Sequence, residues 1–278
     1  MGDISGVIVP EFIRRELSNT RTARFFRDFR PGLFELNVGC MYSGKTNDLI
    51  ETYHTCKIQS NHHCVPITHT GNTRDNSGGY YIRSRKPEGN DGIIERKIPA
   101  IPVESAEELF SKIIKYAMDN IRGANSLLHV TILQDEPWLH HSDHVIVSMV
   151  LKQLGFFQKI ASLSESYRGT AMPYSDEKKT IYDLAKQADI IRRYTARCAH
   201  PFVDLTQSPC WAPAEFTQRF SGKRPSSFDE PLFVIEGSDE AKKLKHTYHP
   251  ACREHFRVRD HPDEETIKRN LLPFSKVA

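Results

Sequence analysis

Residues 38–46 read VGCMYSGKT, and this stretch narrows the possible folds more than any other part of the chain. Gly39, Gly44, Lys45 and Thr46 fit the pattern G-x-x-x-x-G-K-[ST]. The apolar run LFELNV precedes it, and NDLIETYHTCK follows it with Leu49, Ile50 and Tyr53 on one helical face. Glycines are needed because backbone N–H groups must turn inward around phosphates, where a Cβ would obstruct the backbone or the ligand. Lys45 brings a point charge to the terminal phosphates, Thr46 offers a hydroxyl to Mg2+, and the following helix adds its positive end. A chance match in a chain of this length has a probability of roughly one in a hundred before the flanks are counted. Strand, phosphate loop and helix in this order specify an α/β protein built on a parallel sheet.

Much of the remaining chain repeats that rhythm. Short apolar runs at 33–38, 64–68, 127–134 and 157–163 predict strands. Leu109, Ile113, Ala117 and Ile121, and then Val145, Met149 and Val150, recur at helical spacing and predict crossover helices packed on the core. Residues 70–100 are rich in Gly, Asn and charge without a period, which reads as a long loop or a hairpin with a mobile tip. After about residue 196 no long helical stripe appears before the tail, so a second, smaller, metal-held unit is expected. The expected organisation is an Arg-rich arm at 1–31, a P-loop domain at 32–195, the small unit at 196–258 and a tail at 259–278.

A site that transfers a phosphoryl group also needs an acidic group for the metal and, for a hydroxyl acceptor, a base beside it. LLHVTILQDEPW supplies both at the end of a buried strand: Asp135 to support the metal and Glu136 to face the acceptor. The loop residues Gly39, Met41, Ser43, Gly44, Lys45 and Thr46, with Asp135, form the expected nucleotide-binding set.

Composition removes several other classes. No apolar run approaches the length of a membrane span and the N-terminus lacks the pattern of a secretory signal, so a cytoplasmic, reducing setting is expected. In the arm, Arg14, Arg15, Arg21, Arg24, Arg27 and Arg30 alternate with Phe12, Phe25, Phe26 and Phe29. Asp3, Glu11, Glu16 and Asp28 dilute that charge, which favours a solvated or partner-packing arm over a targeting segment. A formal charge of +3 makes no case for a nucleic-acid partner, and none is expected to bind directly. Six cysteines at irregular spacing are too sparse for a disulfide scaffold. Cys40, Cys56 and Cys64 read as core or loop residues, and HHSDH at 140–144 reads as a solvated helix start.

Several segments together resemble the cytosolic-type (type II) thymidine kinases. VGCMYSGKTNDLI is similar to that family's phosphate loop. LQDEPW is similar to its D-E-[GA]-Q-F segment, with Pro137 and Trp138 replacing the small residue and Gln. NTRDNSG at 72–78 corresponds to its D-T-R, and SLSESYRGT at 162–170 to its GLDxDFRGxPF. VIEGSDE followed by YHPACREHF corresponds to its closing I-G-G-x-x-x-Y-x-x-x-C-R-x-C, with about five extra residues. The matches keep the family's order from Gly32 to Phe256. The resemblance implies a P-loop kinase domain with a zinc-ribbon-like lasso unit, and transfer of the γ-phosphate of ATP to the 5′-hydroxyl of thymidine with Mg2+. It implies Glu136 as base, Met41, Tyr167 and Tyr248 around the pyrimidine, and a homo-oligomer.

Cys252 and His255 form a C-x-x-H pair able to grip one ion. In the family this pair closes a structural zinc site whose other half is C-x-x-C or C-x-C. Here Cys198 stands at the first of those positions, Pro201 takes the place of the second cysteine of C-x-x-C, and His200 that of C-x-C. The expected Zn2+ set is Cys198, His200, Cys252 and His255, with Cys210 as the reserve ligand and loss of the metal as the alternative. Two other functions remain open: a kinase for another or 5-modified deoxynucleoside, and an ATP-binding or ATPase module without nucleoside kinase activity.

Overall fold

The computed structural model describes residues 9–26, 30–59, 62–72, 79–84, 96–120, 129–201, 210–234, 243 and 245–261. Two short helices, α1 (Glu11–Ser18) and α2 (Thr20–Phe25), come first, joined at Asn19, whose side chain accepts a hydrogen bond from the Arg21 N–H. Ile13 is fully buried and Phe12 meets Phe110 edge-on at 6.3 Å. Among the described residues of the arm, the apolar ones therefore pack on the chain's own core. Burial of Ile13 alone is worth ~2 kcal/mol.

Strand β1 (Phe34–Gly39) leads through the glycine-rich loop into helix α3 (Lys45–Ile58), which buries Leu49, Ile50, Tyr53 and Cys56 along one face. Then come β2 (His62–His69), a hairpin of β3 (Tyr81–Arg83) and β4 (Lys97–Pro99), β5 (Ile101–Val103) and α4 (Ala106–Asn120). The tip of that hairpin lies outside the described residues. Next are β6 (His129–Asp135), a 3-10 turn at Pro137–Leu139, α5 (His144–Gln153), β7 (Phe157–Leu163), α6 (Ile181–Ala185) and β8 (Ile190–Tyr194).

Six strands form one parallel sheet in the order β5-β2-β6-β7-β1-β8. Both faces are covered, which is why β1 and β7 are nearly continuous runs of buried residues rather than alternating ones. One core cluster holds Ile13, Phe110 and Ile113 with β2 and β6; another holds Leu36, Met41, Trp138, Leu163 and Tyr174. In register, Gly39 lies opposite Leu163 and Asp135 opposite Ala161, so the loop after β1 and the carboxylates after β6 open at the same, C-terminal edge of the sheet.

The HHSDH segment departs from its sequence reading. His141 and Asp143 are exposed, but His140 and His144 are buried. His144 contacts the Gln134 amide oxygen at 2.7 Å and the Tyr174 hydroxyl at 3.1 Å, and its ring stacks on His140. Burial pushes His144 down to about 3, so it packs as a neutral imidazole.

Beyond the sheet, β9 (Ala196–Arg197) pairs with β10 (Pro213–Ala214), and β11 (Phe216–Ser221) lies between β12 (Arg224–Pro225) and β13 (His246–Ala251). Arg219 on β11 is fully buried. It is tolerated because its donors are satisfied: Nε donates to Ser226 Oγ at 3.1 Å, Nη1 to the Pro231 carbonyl at 2.7 Å, and Nη2 pairs with Glu230 at 3.4 Å. Its guanidinium lies 3.4 Å from the centroid of the Tyr167 ring.

Candidate active site

The loop after β1 is shaped by two glycines for different reasons. A Cβ on Gly39 would fall 2.2 Å from the Tyr194 carbonyl, so this glycine lets β1 approach β8. Gly44 has φ 94° with nothing within 4 Å of its missing Cβ, so here the left-handed backbone is what requires glycine. Lys45, at the first position of α3, is buried and its Nζ donates to the Cys40 carbonyl at 2.9 Å. The Ser43 hydroxyl is buried without a hydrogen-bond partner. An orphaned donor, a buried ammonium and a helix N-terminus in one loop suit an anion with several oxygens. The Met41 N–H donates to Thr217 Oγ1 at 3.0 Å, which ties the loop to β11.

Across β7, the Thr46 hydroxyl donates to Asp135, at 3.2 Å to Oδ2 and 3.4 Å to Oδ1. This is the juxtaposition a phosphate-bound Mg2+ needs, with one hydroxyl and one carboxylate at its edge. The chain then turns sharply. Glu136 is left-handed at φ 55° and ψ 59°, its N–H donates to Ala161 at 2.9 Å, and its carboxylate accepts from the Trp138 indole N–H. Both side chains are buried. Met41, Trp138, Leu163 and Tyr248 belong to one cluster beside this turn, and the Tyr248 hydroxyl donates to the Val234 carbonyl at 2.7 Å.

Tyr167 is placed against the small unit. Its hydroxyl lies within hydrogen-bond distance of the carbonyls of Glu230 (2.6 Å), Ser227 and Phe228 (both 3.2 Å). Nearby Glu165 is buried with one carboxylate oxygen unpartnered, and burial pushes it up to about 7. The family model described as thymidine kinase matches residues 32–256.

The chain belongs to the thymidine kinase family. Membership supports nucleoside phosphorylation, and the match covers the six-stranded parallel sheet and the short strands β9 to β13 that follow it. No helix among the described residues is long and apolar enough to cross a membrane.

A candidate metal site near the C-terminus has a different donor set from the one expected from sequence. Donor atoms of Cys198, Cys210, Cys252 and His255 lie within 4.8 Å of one another. His255 Nδ1 is 3.2 Å from Cys252 Sγ and 3.6 Å from Cys198 Sγ. These separations suit a tetrahedral zinc ion, whose ligand atoms stand roughly 3.5–3.8 Å apart. His200 is not in the set, and its ring stacks flat on His255 at 3.8 Å. The backbone explains the exchange: Cys210 N–H donates to the His200 carbonyl and Trp211 N–H to the Cys198 carbonyl, folding Cys210 back toward Cys198. Replacing Cys252 with Ala is expected to cut bound zinc from about one per chain to less than ~0.1 and to lower the thermal midpoint by several degrees, because structural metal binding is folding free energy. Elemental analysis and thermal unfolding check both.

Sequence reading missed Arg219, Glu230 and the Trp138 contact to Glu136. A single buried arginine on a short strand carries no periodic signal. Trp138 had one: it stands where the family has Gln. The D-T-R-like segment beyond Asn72 and most of VIEGSDE lie outside the described residues.

Proposed function

We propose that the protein phosphorylates thymidine at its 5′-hydroxyl, using ATP and Mg2+. The observation that carries this reading is the hydroxyl of Thr46 on the Asp135 carboxylate, with Glu136 the next residue and turned from the strand by its left-handed backbone. Mg2+ would supply positive charge to neutralise the transferring phosphates. Thr46 and Asp135 would hold it. Lys45, Ser43 and the amides from Gly39 to Thr46 bind the phosphates of ATP and orient the terminal one. Glu136 takes the proton of the 5′-hydroxyl as that oxygen attacks phosphorus. Met41, Tyr167 and Tyr248 enclose the base; the bond from Met41 N–H to Thr217 ties the phosphate loop to β11, and that from the Tyr167 hydroxyl to the Glu230 carbonyl ties the turn after β7 to the segment after β12. The remaining parts of the reading are a structural zinc on Cys198, Cys210, Cys252 and His255, a cytoplasmic location and a homo-oligomer.

A second substrate class is favoured by one observation: Trp138 occupies buried space beside Glu136 where the family's Gln would be smaller. Another or 5-modified deoxynucleoside fits a pocket reshaped in that way. A panel of radiolabelled nucleosides offered with Mg-ATP, scored for 5′-monophosphate and for phosphate release, decides between these. Thymidine phosphorylated above all others supports the first reading, and a different preferred nucleoside the second. ATP hydrolysis indifferent to every nucleoside overturns both.

A further inference from the structure

Glu136 is oriented by more than its own backbone. A non-glycine residue in the left-handed region costs ~1–2 kcal/mol, and here Pro137, with its fixed φ, follows directly. The turn aims the Cα–Cβ bond but leaves the carboxylate three side-chain torsions of freedom. Trp138 removes that freedom. Its ring is buried in the cluster of Met41, Val145 and Leu163 and stacks on Phe233 at 5.8 Å with 17° between planes. A buried indole N–H needs an acceptor and a buried carboxylate needs donors, and each meets that need in the other. The acceptor is Oε2, which leaves Oε1 of the same carboxylate free of that bond.

We propose that Trp138 is the positioning residue of the catalytic carboxylate: held by Phe233, its indole N–H fixes the direction in which Glu136 presents its second oxygen to the substrate hydroxyl. This rests on the reading of Glu136 as the base. The stack also makes the positioning depend on the small unit, because Phe233 lies beyond β12 while Trp138 follows β6. A ring serving only as pocket wall would act on substrate affinity, whereas a group that aims the base acts on turnover.

Two measurements on the full chain test it. The sequence has two tryptophans, so the 1H–15N spectrum carries two indole signals, assigned by Trp211→Phe. The Trp138 indole proton is expected downfield, and to move upfield in Glu136→Gln, where a neutral amide replaces the charged acceptor. In steady-state kinetics, Trp138→Phe is expected to lower kcat roughly 10-fold with KM for nucleoside and ATP within about twofold, and Trp138→Gln, which restores an N–H donor, to recover part of that loss. An indole signal indifferent to Glu136→Gln overturns the proposal, as does a Trp138→Phe enzyme with unchanged kcat or with only KM raised. If Trp138→Phe does not fold, the spectrum decides alone. Full turnover in Glu136→Gln is a separate result: it overturns the assignment of the base on which the proposal stands.

Discussion

Lys45→Ala is expected to abolish phosphoryl transfer, with kcat/KM for nucleoside falling by ~10^3-fold or more, since even one preorganised donor to developing charge is worth ~10²–10³ in rate. Lys45 is buried at the head of α3, and its ammonium rests on the Cys40 carbonyl at 2.9 Å. That bond holds the side chain inside the loop that also carries the unpartnered Ser43 hydroxyl, so the charge is already where a terminal phosphate would arrive. Alanine is the best helix former and fits the first position of a helix, so the fold should survive. Circular dichroism should show native helix content, and a radiolabelled nucleoside assay should show no product above background. A variant keeping a tenth of the parent rate would remove the phosphate-cradle reading of the loop.

Glu136→Gln is expected to lower kcat by ~10²–10⁴-fold while leaving ATP affinity within about twofold, the pattern of a lost general base. Gln has the same shape, and its carbonyl oxygen can still accept from the Trp138 indole, so the turn after β6 should persist. The comparison thus isolates proton abstraction from geometry. Nucleotide titration and single-turnover kinetics measure the two halves separately. Full turnover in this variant would move the base elsewhere, and the buried carboxylate of Glu165, pushed up to about 7 by its surroundings, would be the next group to replace.

The parallel sheet was legible because each of its parts is locally encoded. The runs at 33–38 and 157–163 correspond to β1 and β7, and the helical stripes to α4 and α5. β5 and β8 were not read. β5 has three residues, and β8 at the sheet edge is largely exposed, so neither shows the continuous apolar run of a central strand. The arm reads as solvated or partner-packing in the sequence because its arginines outnumber the few residues, Ile13 foremost, that pack with α4 in the core.

By itself the sequence determined the strand–loop–helix, the parallel sheet and the carboxylates at the end of β6, because these follow from glycine placement, apolar period and strand termination within short windows. Tertiary structure decided what meets across the chain. It set Cys210 rather than His200 beside Cys198, buried His140 and His144, gave Trp138 to Glu136, and enclosed Arg219 under Tyr167. The reason is physical: a residue's own neighbours in sequence fix its backbone and its face, but the partner of a buried thiol, imidazole or guanidinium is whichever group the packing of distant segments brings within about 3 Å.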